Sequence, residues 1–377
     1  MSFNFIKGEV ISPQELRHIL HQNPELSFHE FETTNLLRKS IEELKDSSKL
    51  KIHSPYRTGL LVEYRVNNSG YLLFRADIDA LPIKEENQIE FCSKNNFMHA
   101  CGHDVHTSIL YRFLNYVLEN KIKQNILFLF QPAEESGGGA MEFFKTGVFN
   151  QFTVTKAFAL HVTDEYSQGT IASTKGVLFA SSLEVNISFQ GVSSHVAFPQ
   201  EGKNAFNALR LFLDSVEKIP RNISEPFVFG AGRIEAGEIR NIIPGHAKLE
   251  GTIRGLSNEG AQKFYESLIN ILEGIQKITG VKYHAEKGAS YPEVIVNEEL
   301  YDQLTPKLSK EFNFIDCGYK MTGEDFGYIS HQYPSFMFWL GTSNGEKFGL
   351  HNPRFLPDDS VIETGKNAFA VILKSIT

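Results

Sequence analysis

The chain has 377 residues, 41% of them hydrophobic and 22% charged, a globular makeup too long for one ordinary core, so two domains are expected. Its net charge of −8, with no basic tract, argues against nucleic acid as a partner, and no apolar stretch is long enough to span a bilayer. Three cysteines are too few, and odd in number, for a disulfide framework; residues 1–8 lack the pattern of a secretory signal, so the expected compartment is the cytoplasm.

Ser12-Pro13-Gln14-Glu15 is a capping box with proline at the first helical position, which predicts a helix over 13–22 that stops at Asn23-Pro24. A second helix is expected over 30–44, where Phe31, Leu36, Leu37, Ile41 and Leu44 make an apolar stripe. Segments 58–66 and 71–79 flank the turn signal Asn67-Asn68-Ser69-Gly70 and read as a β-hairpin. A helix over 104–120, a buried strand over 125–131, a helix over 139–146 and a strand over 157–161 follow. Strands alternating with helices predict an α/β layer with its active site off the carboxyl ends of the strands.

From about residue 175 the pattern changes. Strands over 183–189, 227–234, 247–254 and 281–286 and helices over 204–219 and 258–278 suggest a small α+β insert with a mostly antiparallel sheet. After Gly288 the α/β pattern resumes, through the apolar run at 336–341 and a closing helix over 359–375. The expected organisation is a catalytic domain in two parts, 1–174 and 290–377, split by an inserted domain at 175–289.

The chemistry concentrates between residues 99 and 161. Cys101-Gly102-His103 precedes a helix, and the glycine lets both side chains face one point; a buried free cysteine beside an ordinary histidine is the competing reading. Glu134-Glu135 follows an apolar strand and precedes Ser136 and three glycines, which places two carboxylates at a crevice. One can coordinate a metal while its neighbour serves as general base. His161 closes a strand, in ligand position or as a satisfied core histidine. His106 shares a helix face with His103 and reads as structural or as a support behind a ligand. Asp77 could orient a ligand histidine from behind or form a cap. A thiol, imidazoles and carboxylates together suit a pair of borderline-soft divalent ions and point to hydrolysis of an amide.

These motifs, in this order, resemble the metal-dependent amidohydrolases that include hippurate hydrolase, the aminoacylases and the auxin-conjugate hydrolases, relatives of the co-catalytic zinc carboxypeptidases. The resemblance spans nearly the whole chain: His21-Gln-Asn-Pro24-Glu25-Leu26-Ser-Phe-His-Glu30, Arg75-Ala-Asp77-Ile-Asp79-Ala-Leu-Pro82, Met98-His-Ala-Cys-Gly-His-Asp104, Phe130-Gln-Pro-Ala-Glu-Glu135, Ser194-His195, Asn241-Ile-Ile-Pro244, Glu250-Gly-Thr-Ile-Arg254, Gly323-Glu-Asp-Phe326 and Leu350-His351. It implies an α/β fold, a split catalytic domain of the co-catalytic zinc exopeptidase type with an inserted α+β lid or dimerisation domain. It implies two divalent ions, of zinc, manganese, cobalt or nickel, with Cys101 bridging, Glu135 and His351 on one ion, and His103 and His161 on the other. Glu134 is implied as general base, His195 as the group that polarises the scissile carbonyl, and Asn241 and Arg254 as holders of the substrate carboxylate. Ser136 stands where many members have glycine, and Ser194-His195-Val196-Ala197 replaces a more usual Gly-His-Ala-Ala.

The implied substrate is a small N-acyl amino acid, handled by a homodimer. Segments 175–180, with 197–200 downstream, and 321–341 resemble the bacterial N-acetyldiaminopimelate deacetylases within that family, which would place the reaction in lysine synthesis. A hippurate or general N-acyl-amino-acid hydrolase, a dipeptidase, and a catalytically silent metal- or ligand-binding member are the competing readings.

Overall fold

The computed structural model describes residues 10–219 and 226–376, so the expectation drawn from residues 1–8 lies outside it. The chain divides into two compact units: Met1–Leu178 with Ile295–Gly318 and Tyr328–Thr377, and Phe179–Val294 with Tyr319–Gly327. The second unit thus takes in a short segment, 319–327, that the sequence reading places with the carboxyl-terminal stretch.

In the first unit the capping box forms: Ser12 Oγ accepts the Glu15 N–H and the Glu15 carboxylate accepts the Ser12 N–H, starting the helix Pro13–Gln22. The strands make an eight-stranded mixed sheet in the order Leu50–His53, Leu60–Tyr64, Asn125–Gln131, Tyr71–Asp77, Val154–Ser167, Ser335–Ser343, Thr170–Ser173, Asn313–Asp316. Tyr71–Asp77 runs parallel to both of its neighbours and Ser335–Ser343 parallel to Val154–Ser167. These central strands are apolar almost without alternation because they are buried on both faces. The strands Leu50–His53, Thr170–Ser173 and Asn313–Asp316 and the helix Glu298–Glu311 were not legible in the sequence pattern.

The expected hairpin is corrected. Leu60–Tyr64 and Tyr71–Asp77 do not pair with each other; Asn125–Gln131 lies between them, antiparallel to the first and parallel to the second. The turn at 67–70 is real but wide, because it wraps the Asn125 side chain. Asn125 Oδ1 accepts from the Val66 and Asn67 N–H groups at 2.8 and 3.0 Å, and its Nδ2 donates to the carbonyls of Asn67 and Ser69. The amide therefore fills the turn and seats a third strand in it.

The second unit carries a four-stranded antiparallel sheet in the order Phe227–Ala236, His246–Gly255, Ser181–Gln190, Lys282–Tyr291. Alternate residues Leu183, Val185, Ile187 and Phe189 pack under the helices Ala205–Val216 and Asn258–Thr279, contacting Leu209, Phe212, Leu268 and Leu272. Asn204 and Ser257 cap those helices, each accepting a backbone N–H three residues on. A two-residue ribbon, Ser194–His195 against Ile242–Ile243, completes the unit. Among the described residues no helix is long and apolar enough to cross a membrane.

Candidate metal centre

The site begins at the start of the helix His103–Glu119. Its cap, Gly102, has φ 81°, and a Cβ there would come within 2.4 Å of Val162 Cγ2, so only glycine fits the turn. That turn sets Cys101 and His103 on one side. Cys101 Sγ lies 3.4 Å from His161 Nε2, and both residues are buried. His161 does not end its strand as expected, because Val154–Ser167 continues past it. Tyr71–Asp77, pairing Arg75 with Ala159, stops level with it, so His161 still faces the carboxyl edge of the sheet at that point.

Glu134 and Glu135 leave the carboxyl end of Asn125–Gln131 in a tight turn. Ala133 is left-handed at φ 55°, and Gly139 closes the turn by donating its N–H to the Ala133 carbonyl at 2.9 Å. A Cβ on Gly139 would sit 1.7 Å from the Pro132 carbonyl oxygen. Glu135 Oε1 lies 3.8 Å from His103 Nε2 and 3.5 Å from His351 Nε2, and Glu134 Oε2 lies 3.9 Å from His103 Nε2. His351 is itself left-handed, at φ 62°, donating its N–H to the Ala100 carbonyl at 2.9 Å. Asp164 Oδ2 holds the preceding loop by accepting from the Phe348 and Gly349 N–H groups.

Two triads share one residue. The ligand atoms of Cys101, His103 and His161 lie within 4.8 Å of one another, and so do those of Cys101, Glu135 and His351. His103 Nε2 and Glu135 Oε1 are buried with no hydrogen-bond partner, a costly arrangement that a cation between them would relieve. The electrostatics agree. Burial lowers the affinity of His103 for a proton, but Asp77, Asp79 and Glu135 outweigh it and raise its pKa to about 10. Burial, then the charges of Glu135, Glu134 and Asp77, pushes the Cys101 thiol well up. Burial, then the neighbouring His106, holds His161 well down, hence neutral, with Nδ1 donating to the Val162 carbonyl and the Nε2 lone pair turned to Cys101. The pocket carries surplus negative charge and a neutral imidazole at His161, and the residues present fit a divalent metal that would take the place of the His103 proton.

Asp77 is not the carboxylate behind His103. That place belongs to Asp79, whose carbonyl and Oδ1 accept His103 Nδ1–H at 3.0 and 3.2 Å and whose Oδ2 accepts the Glu135 N–H at 3.0 Å. Asp77 instead accepts from His106 Nδ1 at 2.6 Å and from Arg75 at 2.8 Å, and lies 3.7 Å from the Nε2 side of His103. Spacing of two along a strand end puts both aspartates on one side, so sequence alone does not rank them. His106 has both nitrogens occupied, Nε2 accepting the Val162 N–H at 2.9 Å. In the second unit, His195 and Asn241 are exposed and share the short ribbon, where the Val196 N–H donates to the Asn241 carbonyl. Arg254 is half-buried on His246–Gly255, and a Cβ on Gly323 would meet its guanidinium at 2.1 Å.

The model of peptidase family M20/M25/M40 matches residues 73–375. The N-acetyldiaminopimelate deacetylase of Exiguobacterium sibiricum is 37% identical over 353 residues, 92% of this chain and 95% of that protein. The N-acetyldiaminopimelate deacetylase of Bacillus pumilus is 37% identical over 367 residues, 95% of this chain and 96% of that protein. Among solved structures, a dinuclear metal-binding peptidase of the M20 family from Bacillus subtilis is 28% identical with a TM-score of 0.80, covering 96% of each chain. A putative aminohydrolase from methicillin-resistant Staphylococcus aureus is 25% identical with a TM-score of 0.86, covering 97% of this chain and 96% of that one.

Proposed function

The chain belongs to peptidase family M20/M25/M40, and from that premise we propose that it deacetylates N-acetyl-L,L-diaminopimelate, releasing acetate and L,L-diaminopimelate for lysine synthesis. It is a metal-dependent amide hydrolase acting on a small molecule, and relatives 35–37% identical over more than nine tenths of the chain carry that deacetylase name. The observation that carries the reading is Glu134, a second acid beside a donor set that fits metal, 3.9 Å from His103 Nε2.

Cys101, Glu135 and His351 would hold one divalent ion, and Cys101, His103 and His161 the other, with Cys101 shared. When bound, the ions supply Lewis-acid chemistry, polarising the acyl oxygen and lowering the pKa of water to about 7. The donor set suits zinc, manganese, cobalt or nickel alike. Glu134 takes a proton from the attacking water and gives it to the departing nitrogen. The new C–O bond forms on the acyl carbon, the C–N bond breaks, and the amine leaves neutral. From the second unit, His195 is assigned to polarising the acyl oxygen and Asn241 and Arg254 to the substrate carboxylate, which a guanidinium fork matches bidentately.

A homodimer through the second unit belongs to the same reading. Its support is the edge strand Phe227–Ala236, whose Val228 and Ile234 are exposed, each by 46%. A cytoplasmic site of action suits an enzyme of amino-acid synthesis.

Metal-reconstituted protein offered N-acetyl-L,L-diaminopimelate, hippurate, N-acetyl amino acids and dipeptides tests the substrate, with free amine as readout and Glu134→Gln as control. Strong preference for the diaminopimelate compound is expected. Preference for hippurate or a dipeptide would overturn the substrate and leave the hydrolase. Full metal loading without turnover of any amide would overturn the mechanism.

A further inference from the structure

The segment from His21 to Glu30 stands out in the sequence, yet nothing in the mechanism uses it. Its last residue, Glu30, is wholly buried, and its Oε2 has no hydrogen-bond partner. Burial, then the charge of Asp79, raises the Glu30 pKa to about 7. Glu30 Oε1 accepts two backbone N–H groups, from Phe28 at 2.9 Å and from Ala133 at 2.8 Å. Both donors are left-handed, Phe28 at φ 64° and Ala133 at φ 55°, a conformation that side-chain-bearing residues adopt only under constraint. One oxygen thus pins two strained residues, and Ala133 is the one that precedes Glu134.

The far side of the same turn is held by the same segment. The Phe28 ring packs on Gly137, where a Cβ would come within 2.4 Å of Phe28 Cε2. One residue earlier, Ser27 Oγ donates to Asp79 Oδ2 at 2.7 Å, the oxygen that also accepts the Glu135 N–H. The turn carrying Glu134 and Glu135 is therefore gripped at Ala133, at Glu135 and at Gly137 by residues 27–30 and their immediate partner.

We propose that Glu30 is a positioning residue of the hydrolysis: its Oε1 locks Ala133 left-handed and so aims the Glu134 carboxylate. The inference rests on the reading of Glu134 as general base. Glu30 touches no substrate; it acts through the backbone of the turn, so its loss shows in kcat rather than in substrate binding.

Glu30→Ala is expected to lower kcat by roughly tenfold to hundredfold, the scale of a misplaced catalytic group, with KM within about twofold. Its metal content, measured on the purified protein, should match wild type. Glu30→Gln keeps a carbonyl oxygen for both N–H groups and should stay within about threefold of wild-type kcat. Glu30→Asp, one methylene too short for both, should lose kcat as alanine does. A double-mutant cycle separates this role from general support: in the Glu134→Gln background, Glu30→Ala should cost less than about twofold. Equal factors in both backgrounds would overturn the proposal. So would wild-type kcat in Glu30→Ala, or a loss in Glu30→Gln as deep as in Glu30→Asp. If the alanine variant does not fold, the glutamine and aspartate pair decides. An error in the general-base reading shows separately, as undiminished kcat in Glu134→Gln alone.

Discussion

Around Cys101 the first unit buries Asp77, Asp79, His103, His106 and His161 and ties most of their polar atoms to neighbours, while His103 Nε2 and Glu135 Oε1 are among the buried atoms without a partner, as are both nitrogens of His99. In the second unit His195 and Asn241 sit exposed on a ribbon two residues long, where His195 Nδ1 accepts the Ala197 N–H at 3.1 Å. The difference follows from what each must bind. A set of donors for a small divalent cation has to be fixed in place beforehand, since its free energy of binding depends on tenths of an ångström. Residues meant for a polar organic substrate have to remain accessible and can be ordered as it arrives. Burial of Cys101, His103 and His161 thus serves the first task, with His351 the exposed member of the donor set, and the exposure of His195 and Asn241 suits the second.

The sharpest test of that contrast is Glu134→Gln, which leaves every donor of both triads in place. It should lower kcat by between roughly 100-fold and 10,000-fold, about 3–5 kcal/mol of barrier, while metal content stays at the wild-type level. Metal lost along with activity would mean that Glu134 is itself a donor, and the division between ligand and base would fail.

A buried and an exposed ion pair extend the comparison to stability. His21, buried with Asp104 at 2.9 Å and Glu85 at 3.0 Å, has burial against it, yet the two carboxylates raise its pKa to about 9 from the usual 6.5. Glu85 has burial against it as well, and His21 brings it down to about 2 from 4.5. A raised histidine contributes stability that is whole below pH 6.5 and disappears as pH climbs through about 9; a lowered carboxyl contributes stability lost as pH falls from 4.5 through about 2. Stability from this network should be level between pH 4.5 and 6.5. Above that, wild type should lose about 3 kcal/mol, shared among the coupled groups rather than summed over them. Urea unfolding at pH 6 and pH 9.5 reads this, with His21→Gln expected to show the smaller pH difference. The exposed pair His284–Glu286, 2.6 Å apart in the second unit, should contribute nothing measurable at either pH. A pH response in His21→Gln equal to wild type would remove the network from the account.

Local signals carried much of the fold and site. The capping box at Ser12, the apolar run of Asn125–Gln131 and the glycine between Cys101 and His103 each act within a few residues, so the sequence displays them. What it hid was non-local. Asn125 sits 55 residues beyond the end of the turn it fills, and no spacing rule ties it to 67–70. The same holds for Glu30, whose partner Ala133 is 103 residues away. Asp77 and Asp79 were both visible, but two residues of one kind on one side of a strand end are separated only by what faces them.

Asp79 gives the smallest of these effects and the one that bears most directly on why the first unit is buried. It joins three parts of the site: His103 through Nδ1–H, the Glu135 backbone, and Ser27. Holding Nδ1–H fixes the tautomer that leaves Nε2 free to coordinate, and holding Glu135 N–H sets the angle of the opposing carboxylate. Asp79→Asn preserves size and removes the charge, so it should weaken metal binding by roughly tenfold to hundredfold in a chelator competition. His195→Ala, on the exposed ribbon, should leave the same titration unchanged. If Asp79→Asn held metal as tightly as wild type, the buried pinning would serve only the fold, and the reason offered for the contrast between the units would have to be abandoned. If His195→Ala loosened metal as much as Asp79→Asn does, His195 would no longer belong with the residues kept for substrate.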